Sequence, residues 1–334
     1  MSEKTKAPTV VIGSNCFTGS YFVDILLRDP RHRVVGISRS PEKGALYLSY
    51  KARESKNFQF YQIDIVRQPG VLQTVLDELQ PATVIHVAAL SEVELSNFSP
   101  VEYFQTNTVG VVTLCNFLRT RSYLKRYLHI SSAEVYGPCD GPVRESHPFY
   151  PSTPYAASKA AADMYLATMA KNFNFPVVTI RSTNVYGKHQ QLYKIIPRTI
   201  IAIKQGKKIQ LNGGGKAIKS FVHIRDVVRG ALQAMQAGRP GDVYHFSDSK
   251  DQTIADVVQR IGKLMGKRFE EIAEPGEGRL GEDPRYDLNC TKARAELRWA
   301  PTIALEEGLA ETKTWIEENW EQIHREPLEY VHKP

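Results

Sequence analysis

Cysteine is scarce: Cys16, Cys115, Cys139 and Cys290 are scattered through 334 residues with no Cys-x-x-Cys spacing, which argues against a zinc site or a disulfide framework. The four are expected to be free thiols, and no other metal-ligand spacing stands out. Long apolar runs are missing too, so no membrane span is expected, and the stretch from Met1 to Pro8 lacks the apolar core of a signal peptide. A cytoplasmic protein is the expectation. Nor is there a basic stripe interleaved with aromatics: the net charge is +7, but Lys and Arg are dispersed and Lys204 to Lys208 is only a short cluster. That excludes nucleic acid as the expected partner and leaves a preference for anionic small molecules. Repeats and low-complexity segments are absent. What remains, 42% hydrophobic and 24% charged over a length that is long for one domain, describes one large or two interleaved globular domains.

The stretch Ser152-Thr153-Pro154-Tyr155-Ala156-Ala157-Ser158-Lys159 predicts a helix start, with Pro154 in the first turn and Ser152 or Thr153 as cap. Tyr155 and Lys159 then share one face, and a cation near a phenol is expected to lower its pKa and make it a proton acceptor. Upstream, Thr9 to Ile12 reads as a buried strand that stops at Gly13-Ser14-Asn15-Cys16-Phe17-Thr18-Gly19 and runs into an amphipathic helix. Strand, glycine turn and helix aim backbone N–H groups at a pyrophosphate, so Gly13, Cys16, Phe17 and Gly19 are cofactor-binding candidates. A second strand, Arg33 to Ile37, ends in Ser38-Arg39-Ser40 instead of the acid that binds a ribose 2′-OH, and Arg39 suits a 2′-phosphate. NADP is therefore expected over NAD. The third strand, from Phe58, delivers Asp64 and Ile65 toward the adenine, and the fourth, Thr83 to Val87, ends in the small pair Ala88-Ala89. A helix follows from Pro100 to Arg119, and a fifth strand, Tyr127 to Ser131, delivers Ser132 and Glu134 at the sheet edge where ligands sit.

Together the glycine turn, the Ser132 strand end and Tyr155-x-x-x-Lys159 resemble the extended short-chain dehydrogenase/reductase family. Three later segments are similar to the nucleotide-sugar 4,6-dehydratases, especially the dTDP-glucose type: Arg181 to Pro197, Gly213 to Val227, and Arg279 to Tyr286 with the helix that follows it, Lys292 to Trp299. The resemblance implies an α/β fold, a Rossmann-like doubly wound parallel sheet with a smaller C-terminal substrate-binding lobe. It places the dinucleotide domain in 1–182 plus about 221–249, the lobe in 183–220 plus 250–324, and a tail in 325–334, with Phe221 to Asp226 and Val243 to Phe246 strand-like. It also implies a homodimer through the helices around Val101 to Arg119 and Tyr155 to Lys171.

The chemistry so implied is oxidation at C4 of a nucleotide-diphosphate hexose, loss of the C5 proton, loss of water from C6 and return of the hydride, with a tightly bound cofactor recycled in each turnover. Tyr155 would be the base for the 4-hydroxyl, Lys159 its activator and a ribose ligand, Ser132 a donor to O4, and Glu134 the base at C5. Asn184, Lys194, Lys219 and Arg279 would hold the substrate. Three positions depart from the family pattern: Cys16 replaces the middle glycine of the turn, Lys219 replaces an arginine, and Ala133 replaces the aspartate that protonates the leaving hydroxyl. Glu134 can instead return its newly gained proton to that oxygen. A 4-epimerase is the alternative, though it has no use for a base at C5; a silent NAD(P)-binding protein is another, against which Ser132, Tyr155 and Lys159 argue. His86, His129, His223 and His245 read as satisfied sheet histidines, while His189 and Gln190 fall in the expected substrate loop.

Overall fold

The structure, a computed structural model, describes residues 7–53, 55–278 and 280–330. Strands β1 (Thr9–Ile12), β2 (Val34–Ser38), β3 (Phe58–Gln62), β4 (Thr83–His86), β5 (Arg126–Ile130), β6 (Val177–Ser182) and β7 (Val243–Phe246) build one sheet. It is seven-stranded and parallel throughout, in the order β7-β6-β5-β4-β1-β2-β3. Side chains alternate across it: Val10 and Ile12 pack into one apolar cluster with Val35 and Leu114, while Val11 packs on the other face with Phe22 and Trp299. Both faces are covered, which is why β1, β2 and β6 are buried end to end. The order reverses between β1 and β4, and a crevice opens there at the strands' carboxyl ends.

Helix α1 (Phe17–Leu26) follows β1 at once, and α2 (Pro69–Leu79) lies between β3 and β4. The helix expected from Pro100 to Arg119 is interrupted: Pro100–Phe104 leads into a π turn, Gln105–Val109, before α3 (Gly110–Leu118). Asn107 in that turn is fully buried; its carbonyl accepts from Leu90 N at 2.8 Å and its amide donates to Leu90 O and to Ser158 Oγ. The widened turn thus serves a polar clasp that fastens the loop after β4 to α4 (Pro154–Phe173). Pro154 opens α4 behind the Thr153 cap, whose hydroxyl accepts from Ala156 N at 3.2 Å, and Asn174 closes it in a left-handed conformation.

Later in the chain, α5 (Ile195–Lys204), α7 (Ile254–Leu264) and α9 (Leu305–Glu318) share a separate core around Ile196, Ile200, Ile261, Leu309 and Trp315. Between them, α6 (Ile224–Ala237) and α8 (Thr291–Leu297) pack against the main sheet through Val228, Ala231, Ala293 and Leu297. The strand expected from Phe221 to Asp226 stops at His223 and pairs with Asn184–Tyr186 outside the main sheet. The His223 ring accepts from Arg225 N at 3.2 Å and caps α6, so Ile224 to Asp226 are helical. Residues 325–330 are not a free tail: Tyr47 donates to Glu326, Leu328 joins the lobe core, and Tyr330 meets Tyr193 edge-on. The rest of the expected tail, 331–334, lies outside the described residues.

Candidate active site

The crevice runs from the first turn of α1, past the ends of β4, β5 and β6, to the start of α5. Cys16 sets its first wall. Its thiol accepts from Gly19 N at 3.2 Å, so a cysteine caps α1 where the family pattern has a glycine, and burial pushes the thiol pKa up, which keeps it protonated. Gly13 and Gly19 lie just beneath: φ at Gly13 is +95°, and a Cβ on Gly19 would stand 2.1 Å from Gly13 O. With both glycines β1 and α1 pack closely, and the first-turn N–H groups of α1 open onto the crevice beside Phe17 and Thr18. Such donors at a helix start suit a pyrophosphate, so the residues present fit a dinucleotide.

The outer cofactor candidates sit on the neighbouring strand ends. Ser38 Oγ accepts from Asn15 N at 3.0 Å, and the Asn15 amide holds the Ser40 and Pro41 carbonyls, which shapes the chain after β2. Arg39 is exposed there, and its carbonyl accepts from the Gln62 amide. Asp64 turns one carboxylate oxygen onto Val66 N and Arg67 N. Ile65 is buried beneath Gly110, and Ala88 lies against Gly13, whose missing Cβ would come 2.5 Å from Ala88 N. None of Gly13, Gly19, Ser38, Arg39, Asp64, Ile65 and Ala88 lines the crevice itself, whereas Ala89 does.

Ser132, Glu134, Tyr155, Lys159, Asn184 and Lys194 all line it together. Ser132 caps a short 3₁₀ turn, Ala133–Tyr136, accepting from Glu134 N at 3.2 Å, and this turn brings Glu134 to the crevice. One expectation is reversed. The Tyr155 phenol is held well above its ordinary pKa, first by burial and then by the negative charge of Glu134, with a hydrogen bond to Ser132 pulling the other way. The Lys159 ammonium donates to Ile130 O at 2.8 Å and stands 3.5 Å from His129 Nε2. Burial pushes the Lys159 pKa down to about 8, while Asp163 supports its charge.

Asn184 accepts from the Tyr286 hydroxyl at 3.1 Å and donates to Ser220 O. Lys194 is ion-paired with Glu92, so a charge contact joins the loop after β4 to the start of α5. Lys219 does not line the crevice; it is buried, donates to Asp283 O at 2.6 Å and lies 4.2 Å from the centre of the Tyr286 ring. Arg279 lies outside the described residues. Gln190 and Thr183 line the crevice, while Gln190 Oε1 and Thr183 Oγ1 are themselves buried and unpartnered. His189 faces away, bonded to Leu46 O and packed on Trp315.

Behind the crevice the sheet histidines form a buried polar chain. His86 Nδ1 meets Tyr127 OH at 2.5 Å, Asp163 accepts from Ser131 Oγ and Arg181 Nε, and Tyr136 OH contacts Arg181 and His245 Nε2. Sequence reasoning assigns no role to Glu92 or Tyr286. For Tyr286 the available signal is its place beside Arg279 in a segment already singled out; Glu92, in the loop after β4, is recognisable only through the ion pair.

The sequence matches the family described as GDP-mannose 4,6 dehydratase over residues 10–312. It is 31% identical to a dTDP-glucose 4,6-dehydratase of an Actinoplanes species, covering 93% of this chain and 98% of that protein. The corresponding Haemophilus influenzae enzyme is 30% identical over 92% of this chain and 96% of its own length. Among solved structures, the Streptomyces venezuelae dTDP-glucose 4,6-dehydratase with NAD bound superposes with a TM-score of 0.88 at 29% identity, covering 96% of this chain and all of that one. A Bacillus cereus UDP-glucuronic acid 4-epimerase with NAD gives 0.84 at 26% identity, over 93% and 99%.

Proposed function

The chain belongs to the nucleotide-sugar 4,6-dehydratases of the extended short-chain dehydrogenase/reductase family, and on that premise we propose that it converts a nucleotide-diphosphate hexose to the 4-keto-6-deoxy sugar. The observation that carries this reading is Glu134: a carboxylate in the same crevice as Ser132, Tyr155 and Lys159 gives a base for the C5 proton, which a 4-epimerase does not need. When bound, an oxidised nicotinamide supplies hydride acceptance at C4, its return at C6, and a positive charge that favours phenolate. Tyr155 takes the proton of the 4-hydroxyl, Ser132 holds O4, and the Lys159 ammonium, charged at neutral pH, supports the phenolate. Glu134 then removes the C5 proton, which the new ketone has acidified. Asn184, Lys194, Thr183 and Gln190 line the part of the crevice assigned to the sugar diphosphate. Lys219 and Arg279 are assigned a supporting charge there, and recognition of the base to the lobe of residues 183–220 and 250–324.

We assign NADP as the tightly held cofactor because β2 ends in Ser38-Arg39-Ser40, with no carboxylate to bind a ribose 2′-OH. A homodimer fits the exposed apolar side chains Val101, Val109, Met164 and Phe173 on the helices before and after β5. Four free thiols fit a cytoplasmic protein, and among the described residues no helix is long and apolar enough to cross a membrane.

The test is incubation with dTDP-, UDP-, GDP- and CDP-hexoses in deuterated water, followed by mass spectrometry. Loss of water with one deuterium at C5 is expected; an isomer without water loss would replace this reading with epimerisation. Denaturing the same protein releases its cofactor for identification, and NAD alone would overturn the NADP assignment. Sedimentation velocity is expected to give a dimer that Val109→Glu splits; a monomeric wild type would remove that proposal.

A further inference from the structure

Hydroxide is a poor leaving group, so elimination from C6 needs a proton donor, and the turn Ser132-Ala133-Glu134 carries no acid beyond Glu134 itself. Ala133 is 1% exposed and packs in an apolar cluster with Val135, Tyr136, Ala160, Leu288 and Tyr286. Of those neighbours only Tyr286 also lines the crevice. Four other lining groups able to give up a proton are assigned or bonded elsewhere. Tyr155 and Ser132 serve O4, Lys159 bonds Ile130 O, and Lys194 is paired with Glu92.

We propose that Tyr286 is the general acid that protonates the departing 6-hydroxyl, an assignment that rests on the dehydratase reading above. Its phenol is oriented by one hydrogen bond, to Asn184 Oδ1 at 3.1 Å, and the Lys219 ammonium 4.2 Å from the ring centre favours negative charge on that ring. Burial, then the charge of Glu134, holds the phenol well above its ordinary pKa, so it keeps its proton until a stronger base, the leaving oxygen, develops beside it. In the elimination the C5–H bond breaks and its proton goes to Glu134. The electron pair forms the C5–C6 double bond, the C6–O bond breaks with its pair on oxygen, and the Tyr286 proton completes water. Tyr155 has gained one proton from the 4-hydroxyl and Tyr286 has lost one, so a single proton passed between them, directly or through solvent, restores the site.

The test compares Tyr286→Phe with the wild type on dTDP-glucose, UDP-glucose and GDP-mannose, each beside its 6-deoxy-6-fluoro analogue, under single-turnover conditions. Fluoride departs without a proton, so the analogue bypasses the acid. The variant is expected to lose water about 100-fold more slowly or worse, to expel fluoride at nearly the wild-type rate, and to keep exchanging the C5 proton with deuterated solvent. Equal losses on water and fluoride would make Tyr286 a structural or positioning residue and overturn the assignment. Unchanged water loss would overturn it in favour of Glu134 returning its own proton. A wild-type enzyme that expels neither group from any of these sugars removes the dehydratase reading and this assignment together.

Discussion

Glu134 and Tyr155 stand close enough for each to matter to the other: the carboxylate's charge, after burial, keeps the phenol protonated. The two bases of the proposed reaction are therefore coupled through one crevice, and removing one charge eases ionisation of the other. Glu134→Gln is expected to abolish deuterium incorporation at C5 and to cut turnover about 100-fold or more, while oxidation at C4, followed by absorbance of the reduced cofactor, persists. Undiminished C5 exchange in that variant would remove Glu134 from the role of base. Ser132, Glu134, Tyr155 and Lys159 are legible in sequence because each falls at a strand end or at one-turn spacing. Glu92 is not, since its pairing with Lys194 joins residues far apart in the chain and carries no local signal.

Among the elements, α4 carries Tyr155 and Lys159, and its register decides where they fall. Two local features and one tertiary contact set that register: the Thr153 cap, Pro154 in the first turn, and the clasp of Asn107 on Ser158. Thr153→Ala is expected to cost about 1 kcal/mol of stability, measured as a lower urea midpoint. An unchanged midpoint would show that packing alone holds the helix start. The cap and the proline are readable from the sequence. The π turn is not, because it answers to Asn107 meeting Leu90 and Ser158, contacts that exist only once the sheet has formed.

Across the whole molecule, the buried polar chain behind the sheet ties folding to pH. Burial pushes His86 and His245 down to about 3, and His129 lies well below its ordinary value, the nearby charges of Lys159 and Arg181 adding to the effect. Below about pH 6.5 the unfolded chain binds protons that these folded rings refuse, so stability present above that pH is lost progressively as pH falls toward 3. Each such histidine contributes a slope of about 1.4 kcal/mol per pH unit. The urea midpoint is expected to fall steadily from pH 7.5 to pH 5, and less steeply in His245→Gln; a flat wild-type profile would contradict the burial of these rings in neutral form.

Hydrophobic runs, the Gly13 to Gly19 turn and one-turn spacing from Tyr155 to Lys159 are local patterns; by themselves they determined the strand-turn-helix opening, the helix start at Pro154 and the shared face of Tyr155 and Lys159, while the doubly wound sheet followed from the resemblance those motifs carry. The lobe resists the same reading: its paired strands are two or three residues long, so the strand at Phe221 reads too far into α6 and the segment after 325 reads as a tail. Only the tertiary structure decided the direction of the Tyr155 pKa shift, because burial and the field of Glu134 depend on distance through space. It alone also placed Tyr286 in the crevice with Glu134, since a phenol's chemistry depends on what the fold sets around it.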